Sequence, residues 1–111
     1  MKVLKFGGSS VANSKNIKKV VHIVHKAAET EKIVVIVSAF GKTTNKLIEA
    51  ATLAASNDSS YIERFLEVQE QHTNVVYELI TSAKKEQVHD RVTVLFNQLQ
   101  TLLEGCFLLR E

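Results

Sequence analysis

Proline is missing from this sequence: its 111 residues contain none, although average usage of about 5% would give roughly five or six. Without proline, long helices can run uninterrupted. Cysteine is almost as scarce, since Cys106 is the only one. A single cysteine cannot form an internal disulfide and suits a reducing compartment, and its spacing predicts a core residue. The composition therefore argues against a disulfide-rich secreted domain.

Long apolar runs and an excess of one charge are also missing. The longest continuous apolar stretch, Ile33–Val37, is far shorter than the roughly 20 residues of a membrane span, and the start MKVLKF lacks a signal-peptide core. Lys+Arg 14 and Asp+Glu 12 give a net charge of +2, whereas nucleic-acid binding needs clustered cations. The hydrophobic content of 45% argues against disorder and suits one small domain. These features predict a soluble, cytoplasmic protein with neither a nucleic-acid nor a membrane partner.

The first 57 residues alternate between strand and helix. Lys2–Phe6 alternates apolar and polar residues and ends at a Gly-Gly pair, which predicts a strand running into a tight loop. A helix follows, capped by Asn13 or Ser14 and apolar at helical spacing. Ile33–Val37 is β-branched at every position, which predicts a parallel strand buried on both faces. The crossover should be right-handed, and a second helix is expected over residues 44–56.

Residues 58–111 are expected to form a helical hairpin. Ser60 followed by Glu63 is a capping-box pattern at the start of its first helix. Two antiparallel helices packed on each other are the simplest arrangement for two apolar stripes joined by a short break. The predicted stripes are Ile62, Phe65, Leu66, Val76, Leu79, Ile80 and Ala83, and then Val88, Val92, Leu95, Phe96, Leu99, Leu102, Leu103, Cys106 and Phe107.

The strongest signal for chemistry is KFGGSS, residues 5–10, at the carboxyl end of the first strand. Ligands of open α/β sheets bind at this edge, and paired glycines let backbone N–H groups approach a phosphate without a Cβ in the way. Lys5 adds a positive charge. The spacing fits neither the dinucleotide pattern nor a P-loop. From residue types alone, a Gly-Gly turn beside a solvated lysine is an equally good interpretation.

A second loop, SAFGKTTN at residues 38–45, follows the second strand. Its Gly-Lys-Thr imitates the tail of a P-loop, but position 36 is Ile36 where that motif needs glycine, so this interpretation fails. What remains is a hydroxyl-rich loop at the end of a neighbouring parallel strand. Both loops should open at the same edge of the sheet, which favours a site over two unrelated turns.

Metal ligands show no comparable grouping. His22 and His25 are three residues apart on the first predicted helix, but His72 and His89 offer no matched spacing. The four are interpreted as surface or interface histidines, and no metal site on the protein is predicted.

Taken together, KVLKFGGSSVAN at residues 2–13 and IVVIVSAFGKTTNKL at residues 33–47 resemble the N-terminal part of aspartokinases, in the amino-acid kinase superfamily. Kinases of glutamate, acetylglutamate and nucleoside monophosphates share the Lys and Gly-Gly. Lys-Phe-Gly-Gly followed by a hydroxyl residue, Ser10 and Val11 is similar to the aspartate branch. Residues 60–111 resemble the helical segment that follows. The resemblance implies an α/β fold: an incomplete three-layer αβα kinase fold with two parallel strands and about four helices.

The resemblance also implies roles for individual residues. Lys5 matches the catalytic lysine that holds and polarises the ATP phosphates. Ser38 matches the serine near the transferred phosphoryl group and substrate, and Thr44 the threonine that contacts aspartate. Lys42 stands where the family often has an apolar residue, and no role is assigned to it. The implied ATP-phosphate-binding residues are Lys5, Phe6, Gly7, Gly8 and Ser9, with Ser9 where many members have threonine.

The activity implied is transfer of the γ-phosphoryl group of ATP to the β-carboxylate of L-aspartate, with Mg²⁺ carried by ATP, in lysine, threonine and methionine biosynthesis. Another amino-acid kinase, and a non-enzymatic α/β oligomerisation module, remain as alternatives. The family's substrate-contacting Glu, its Arg-Gly-rich motif, its adenine-binding half and its regulatory domains have no counterpart before Glu111. Residues 1–111 are therefore expected to be an inactive, homo-oligomeric segment of a larger enzyme, with or without a homoserine dehydrogenase half.

Overall fold

The computed structural model describes residues 1–109, which form an α/β fold rich in helix. The chain divides into two compact units, residues 1–43 and residues 44–111. The elements in chain order are β1 (Lys2–Phe6), a 3₁₀ turn (Gly8–Val11), α1 (Ser14–Ala28), β2 (Ile33–Val37), α2 (Thr43–Ala55), α3 (Tyr61–Leu79) and α4 (Lys84–Leu109).

The first unit is a strand–helix–strand arrangement with a parallel two-stranded sheet, as predicted. β1 and β2 pair from Lys2 opposite Ile33 to Phe6 opposite Val37. α1 begins where the sequence predicts, because the Asn13 side-chain oxygen accepts a hydrogen bond of 2.9 Å from the backbone N–H of Asn16. This cap satisfies one of the free N–H groups of the first helical turn.

The prediction that β2 is buried on both faces is wrong for the described residues. Ile36 is 48% exposed and Val37 is 58% exposed. The physical reason is that β1 is the only strand beside β2 in residues 1–109, and α1 packs on one face of this sheet. Apolar residues at every position are typical of a strand covered on both sides, and here that cover is missing.

The second unit is a helical hairpin to which α2 contributes. α3 and α4 are antiparallel: Tyr61 at the start of α3 contacts Phe107 with ring centroids 5.3 Å apart, and Tyr77 near its end contacts His89 at 5.5 Å. This confirms the predicted hairpin. Its core consists of Ala50, Ala54, Tyr61, Phe65, Val68, Phe96 and Leu103, with Cys106 partly buried beside it.

The core explains why the compact units divide between residues 43 and 44. The sequence pattern predicts the boundary at about residue 57, where alternating elements give way to helices. Ala50 and Ala54 of α2 are nevertheless fully buried in the core of the second unit. Packing therefore assigns α2 to the helical part of the chain, although its position in the sequence continues the alternating part.

The predicted stripe of α3 is rotated in the structure. Ile62 and Leu66 are about half exposed, whereas Tyr61, Phe65 and Val68 are buried at the i, i+4, i+7 spacing of one helix face. Apolar residues occur on both faces, and contact with α4 selects the aromatic one. The helix also ends before the predicted stripe does: Ile80 caps it in an extended conformation and Ala83 lies beyond.

Ser60 is the N-cap residue of α3, as the sequence predicts. The Ser60 side chain makes no capping hydrogen bond. Instead, the Asp58 carboxylate accepts hydrogen bonds from the Ser60 N–H at 2.9 Å and the Ser60 hydroxyl at 2.6 Å. Because both bonds favour the ionised carboxylate, they hold the pKa of Asp58 below its ordinary value of 3.8.

Within the described residues, α4 is the one helix long and apolar enough to cross a membrane by length and composition. The sequence predicts no membrane span when only continuous apolar runs are considered. Scattered polar residues interrupt such runs in α4, but they lower its mean hydropathy only slightly. Core helices of soluble proteins pass the same test, and Phe96 and Leu103 of α4 are buried in the hairpin core. This feature is therefore weak support for a membrane span.

Candidate phosphate-binding site

The two loops that the sequence singled out leave the sheet at the same edge. β1 and β2 run parallel, so Phe6 and Val37 end the strands side by side. The Ser38 N–H donates a 3.0 Å hydrogen bond to the Phe6 carbonyl oxygen, which continues the pairing by one step. The structure thus brings Lys5, the Gly-Gly loop and Ser38 together at the carboxyl ends of the strands.

Strand alternation places Lys5 on the sheet face turned away from α1. Phe6 and Val37 line grooves together with residues of α1, so these strand positions face that helix. Successive side chains of a strand point to opposite faces. Lys5, paired with Ile36, therefore lies on the other face, where it is exposed. An ammonium group there is accessible to a ligand at the strand end.

The Gly-Gly loop offers two backbone donors. The Ser10 N–H donates to the Gly7 carbonyl oxygen at 3.1 Å and closes the turn. Among residues 1–109, the N–H groups of Gly8 and Ser9 have no hydrogen-bond partner. Adjacent backbone N–H groups in a turn form the kind of concave donor pair that binds phosphate oxygens. This geometry distinguishes the loop from a turn that uses all its donors.

The two glycines of the loop differ in the space around them. A Cβ built on Gly7 would meet no atom within 4 Å, and its φ of −78° and ψ of 175° suit any residue. A Cβ on Gly8 would make an ordinary contact of 3.5 Å with the Ala39 carbonyl oxygen. The fold itself thus does not require glycine at position 7. Without a Cβ, glycine lets a ligand approach the backbone closely at this position.

Sequence reasoning missed one residue that holds this loop. The Asn16 side-chain amide donates a 3.1 Å hydrogen bond to the Ser9 carbonyl oxygen, which ties the loop to the first turn of α1. Asn16 lies three residues after the Asn13 cap, a position where a short polar side chain can reach back beyond the helix start. Asn16 and Ser9 also line a cleft of about 320 Å³ on the α1 side of the loop.

Thr44 and Lys42 occupy different settings. Lys42 is exposed and has a left-handed backbone with φ of 63°, which costs a non-glycine residue energy. Thr44 is the first residue of the second compact unit, in the first turn of α2, and is exposed. Its contact with a substrate stays a prediction, as does that of Ser38.

Metal-ligand side chains do not converge in the part of the chain that the structure describes: no three His, Cys, Asp or Glu residues could share an ion. His22 and His25 are exposed, as interpreted from the sequence. His72 differs, because its ring is half-buried and packs edge-on against Phe96 with centroids 5.3 Å apart.

Comparison with known proteins agrees with this geometry. Residues 1–105 match the model of the Amino acid kinase family. The chain belongs to this family. Its two parallel strands and four helices within residues 1–109 are an incomplete version of the α/β amino-acid kinase fold, as the resemblance implied.

Named relatives are aspartokinases. The chain is 34% identical to "Aspartokinase 1, chloroplastic" of Arabidopsis thaliana over 98% of its own length and 18% of that protein. It is 32% identical to the "Bifunctional aspartokinase/homoserine dehydrogenase" of Buchnera aphidicola over 100% of its own length and 14% of that protein. The chain therefore spans less than a fifth of the length of these relatives. Similarity to them supports a kinase function.

Proposed function

We propose that this chain is the N-terminal part of an enzyme that phosphorylates the β-carboxylate of L-aspartate with ATP and gives 4-phospho-L-aspartate. The observation that carries the proposal is the pair of unpartnered N–H groups at Gly8 and Ser9, in the loop that follows the strand of Lys5. Aspartokinase relatives over the whole chain support aspartate as the acceptor.

The proposed reaction needs charge neutralisation more than proton transfer. A carboxylate oxygen of aspartate attacks the γ-phosphorus of ATP, the bond to the β-phosphate oxygen breaks, and ADP leaves. The aspartate carboxylate is already ionised at pH 7, so no general base is required. Catalysis then rests on alignment and on stabilising the phosphoryl oxygens. Lys5 supplies a positive charge for this, and Phe6, Gly7, Gly8 and Ser9 form the phosphate loop with its two N–H donors.

The remaining proposed contacts come from the second loop. Ser38 follows β2 directly and is joined to Phe6 by a backbone hydrogen bond, and its hydroxyl is proposed to contact the transferred phosphoryl group. Thr44 is proposed to bind the aspartate substrate. Mg²⁺ bound to ATP adds Lewis-acid stabilisation of the phosphates when present.

The proposal also covers the setting of the parent enzyme. We place it in the cytoplasm and in lysine, threonine and methionine biosynthesis, with ATP and L-aspartate as its small-molecule partners and neither a nucleic acid nor a membrane. The plant relatives are chloroplastic by name, and that location is theirs.

The function is tested by an ATP-dependent aspartyl-hydroxamate assay on the full-length enzyme that contains this segment. Wild-type enzyme should form the hydroxamate with aspartate. Thr44→Val keeps the shape of the side chain but removes its hydroxyl, so it should raise the KM for aspartate more than the KM for ATP. Residues 1–111 alone should form no product. An unchanged aspartate KM in Thr44→Val would contradict the role of Thr44, and a glutamate-specific enzyme would favour another amino-acid kinase.

Self-association is expected for residues 1–111. The exposed apolar face of β2 and its unpaired backbone groups can be buried and hydrogen-bonded by a second copy of the chain. Light scattering should give a mass above the 12.4 kDa of one chain. Ile36→Lys puts a charge on the face away from α1 and should shift the population toward monomer. Thr30→Lys, in the exposed turn before β2, is the control for added charge. A strictly monomeric wild-type chain would contradict the exposed-strand argument.

A further inference from the structure

The loop after β2 lies directly against the phosphate loop at Gly41. A Cβ built on Gly41 would be 3.0 Å from the Cβ of Ala12 and 3.3 Å from the carbonyl oxygen of Gly8. The contact is mutual, since a Cβ on Gly8 would have the Gly41 Cα at 3.7 Å. The two loops thus meet closely, and a side chain at position 41 would have to displace a neighbouring atom by a few tenths of an ångström.

The residues that Gly41 contacts belong to the same turn as the proposed phosphate donors. Gly8 begins the 3₁₀ turn and Ala12 is its C-cap, so Gly41 contacts both ends of the turn. The N–H groups of Gly8 and Ser9 belong to that same turn. On the α1 side, the Asn16 amide holds the turn through the Ser9 carbonyl oxygen. The turn is therefore held between the first turn of α1 and the loop after β2.

We propose that Gly41 is a positioning residue: by lacking a side chain, it lets the second loop set the direction of the Gly8 and Ser9 N–H groups. The proposal rests on the proposed function in one respect, the binding of phosphate by these groups. No glycine in residues 1–109 has a positive φ, so the need for glycine at position 41 comes from the contact and not from the backbone conformation.

The size of the effect follows from the geometry. Carbon atoms pack best at about 3.5 to 4.0 Å, so a methyl group 3.0 Å from Ala12 must displace the turn or the loop by several tenths of an ångström. Misplacing reacting groups by about 1 Å costs up to about a hundredfold. A shift of several tenths should weaken the binding of a phosphate chain about fivefold.

The test compares backbone amide NMR spectra of residues 1–111 in four forms: wild type, Gly41→Ala, Gly41→Ala with Ala12→Gly, and Gly105→Ala. The double variant removes the nearest atom that the new methyl group would meet, the Cβ of Ala12, and keeps the Gly8 carbonyl oxygen at 3.3 Å. Gly105 is the control, because a Cβ there meets no atom within 4 Å. Without ligand, Gly41→Ala should shift the amide signals of Gly8 and Ser9, and the double variant should move them back toward wild type. Gly105→Ala should leave them unchanged.

A titration with tripolyphosphate then tests binding, with thermal unfolding measured for every variant. Affinity should fall about fivefold in Gly41→Ala and recover in the double variant, at melting temperatures near that of wild type. Unchanged Gly8 and Ser9 signals in Gly41→Ala, or no recovery in the double variant, would overturn the positioning role. If Gly41→Ala does not fold and the double variant also fails to fold, the positioning role of Gly41 is likewise overturned. If wild type ignores tripolyphosphate, phosphate binding by this segment fails, while the ligand-free spectra still decide the role of Gly41.

Discussion

Lys5→Ala in the full-length enzyme should slow phosphoryl transfer by at least about a hundredfold. The physical reason is that Lys5, one residue before the end of β1, is proposed to neutralise charge on the phosphoryl oxygens. Removing one preorganised charge donor typically costs about 3 kcal/mol of transition-state stabilisation, or roughly a hundredfold in rate. The measurement is kcat in the aspartyl-hydroxamate assay.

Lys2→Ala is the matched control for this variant. Lys2 is an exposed lysine on the same strand, but it lies at the end remote from the loops. Both substitutions should leave the fold intact, since neither side chain belongs to a core. Near wild-type turnover in a folded Lys5→Ala enzyme would refute the catalytic assignment. An equal loss of kcat in both variants would show that the effect comes from the lost positive charge and does not depend on the position of Lys5.

Phe96→Ala should destabilise the helical unit by about 3 to 5 kcal/mol, the usual cost of emptying a buried aromatic site. Phe96 of α4 is 8% exposed and its ring contacts Phe65 edge-on with centroids 6.0 Å apart, as well as His72. Small domains have about 5 to 15 kcal/mol of stability, so this loss is a large share of the total. Urea unfolding followed by circular dichroism measures it.

Leu95→Ala separates burial from hydrophobicity. Leu95 is the neighbour of Phe96 and belongs to the same predicted stripe, yet it is 64% exposed. Its replacement should change stability by about 0.5 kcal/mol or less, as is usual at surface positions. A large loss for Leu95→Ala with a small one for Phe96→Ala would mean that α4 packs with its other face.

Local patterns predict most of the secondary structure because they act over short distances. The β-branched run of β2 and the Asn13 cap of α1 need only their neighbours in the chain to be recognised. The buried face of a helix is harder to predict than the helix itself. On α3 both Phe65 and Leu66 are apolar, and periodicity does not decide which of the two faces is buried. The start of α3 is a related case, since the Ser60 hydroxyl donates to the Asp58 carboxylate and makes no capping bond to the helix.

The place of the candidate site at the sheet edge could be predicted from the sequence. Lys5, the Gly-Gly pair and Ser38 are chain-local features, and parallel strands by necessity bring their carboxyl ends together. Contacts between segments distant in sequence could not be read in this way. A Cβ built at position 41 would lie 3.3 Å from the Gly8 carbonyl oxygen, and Ala50 is fully buried. Both features depend on how the loops and helices pack in the folded chain. Packing is a property of many residues at once, so those contacts are specified only when the chain is folded.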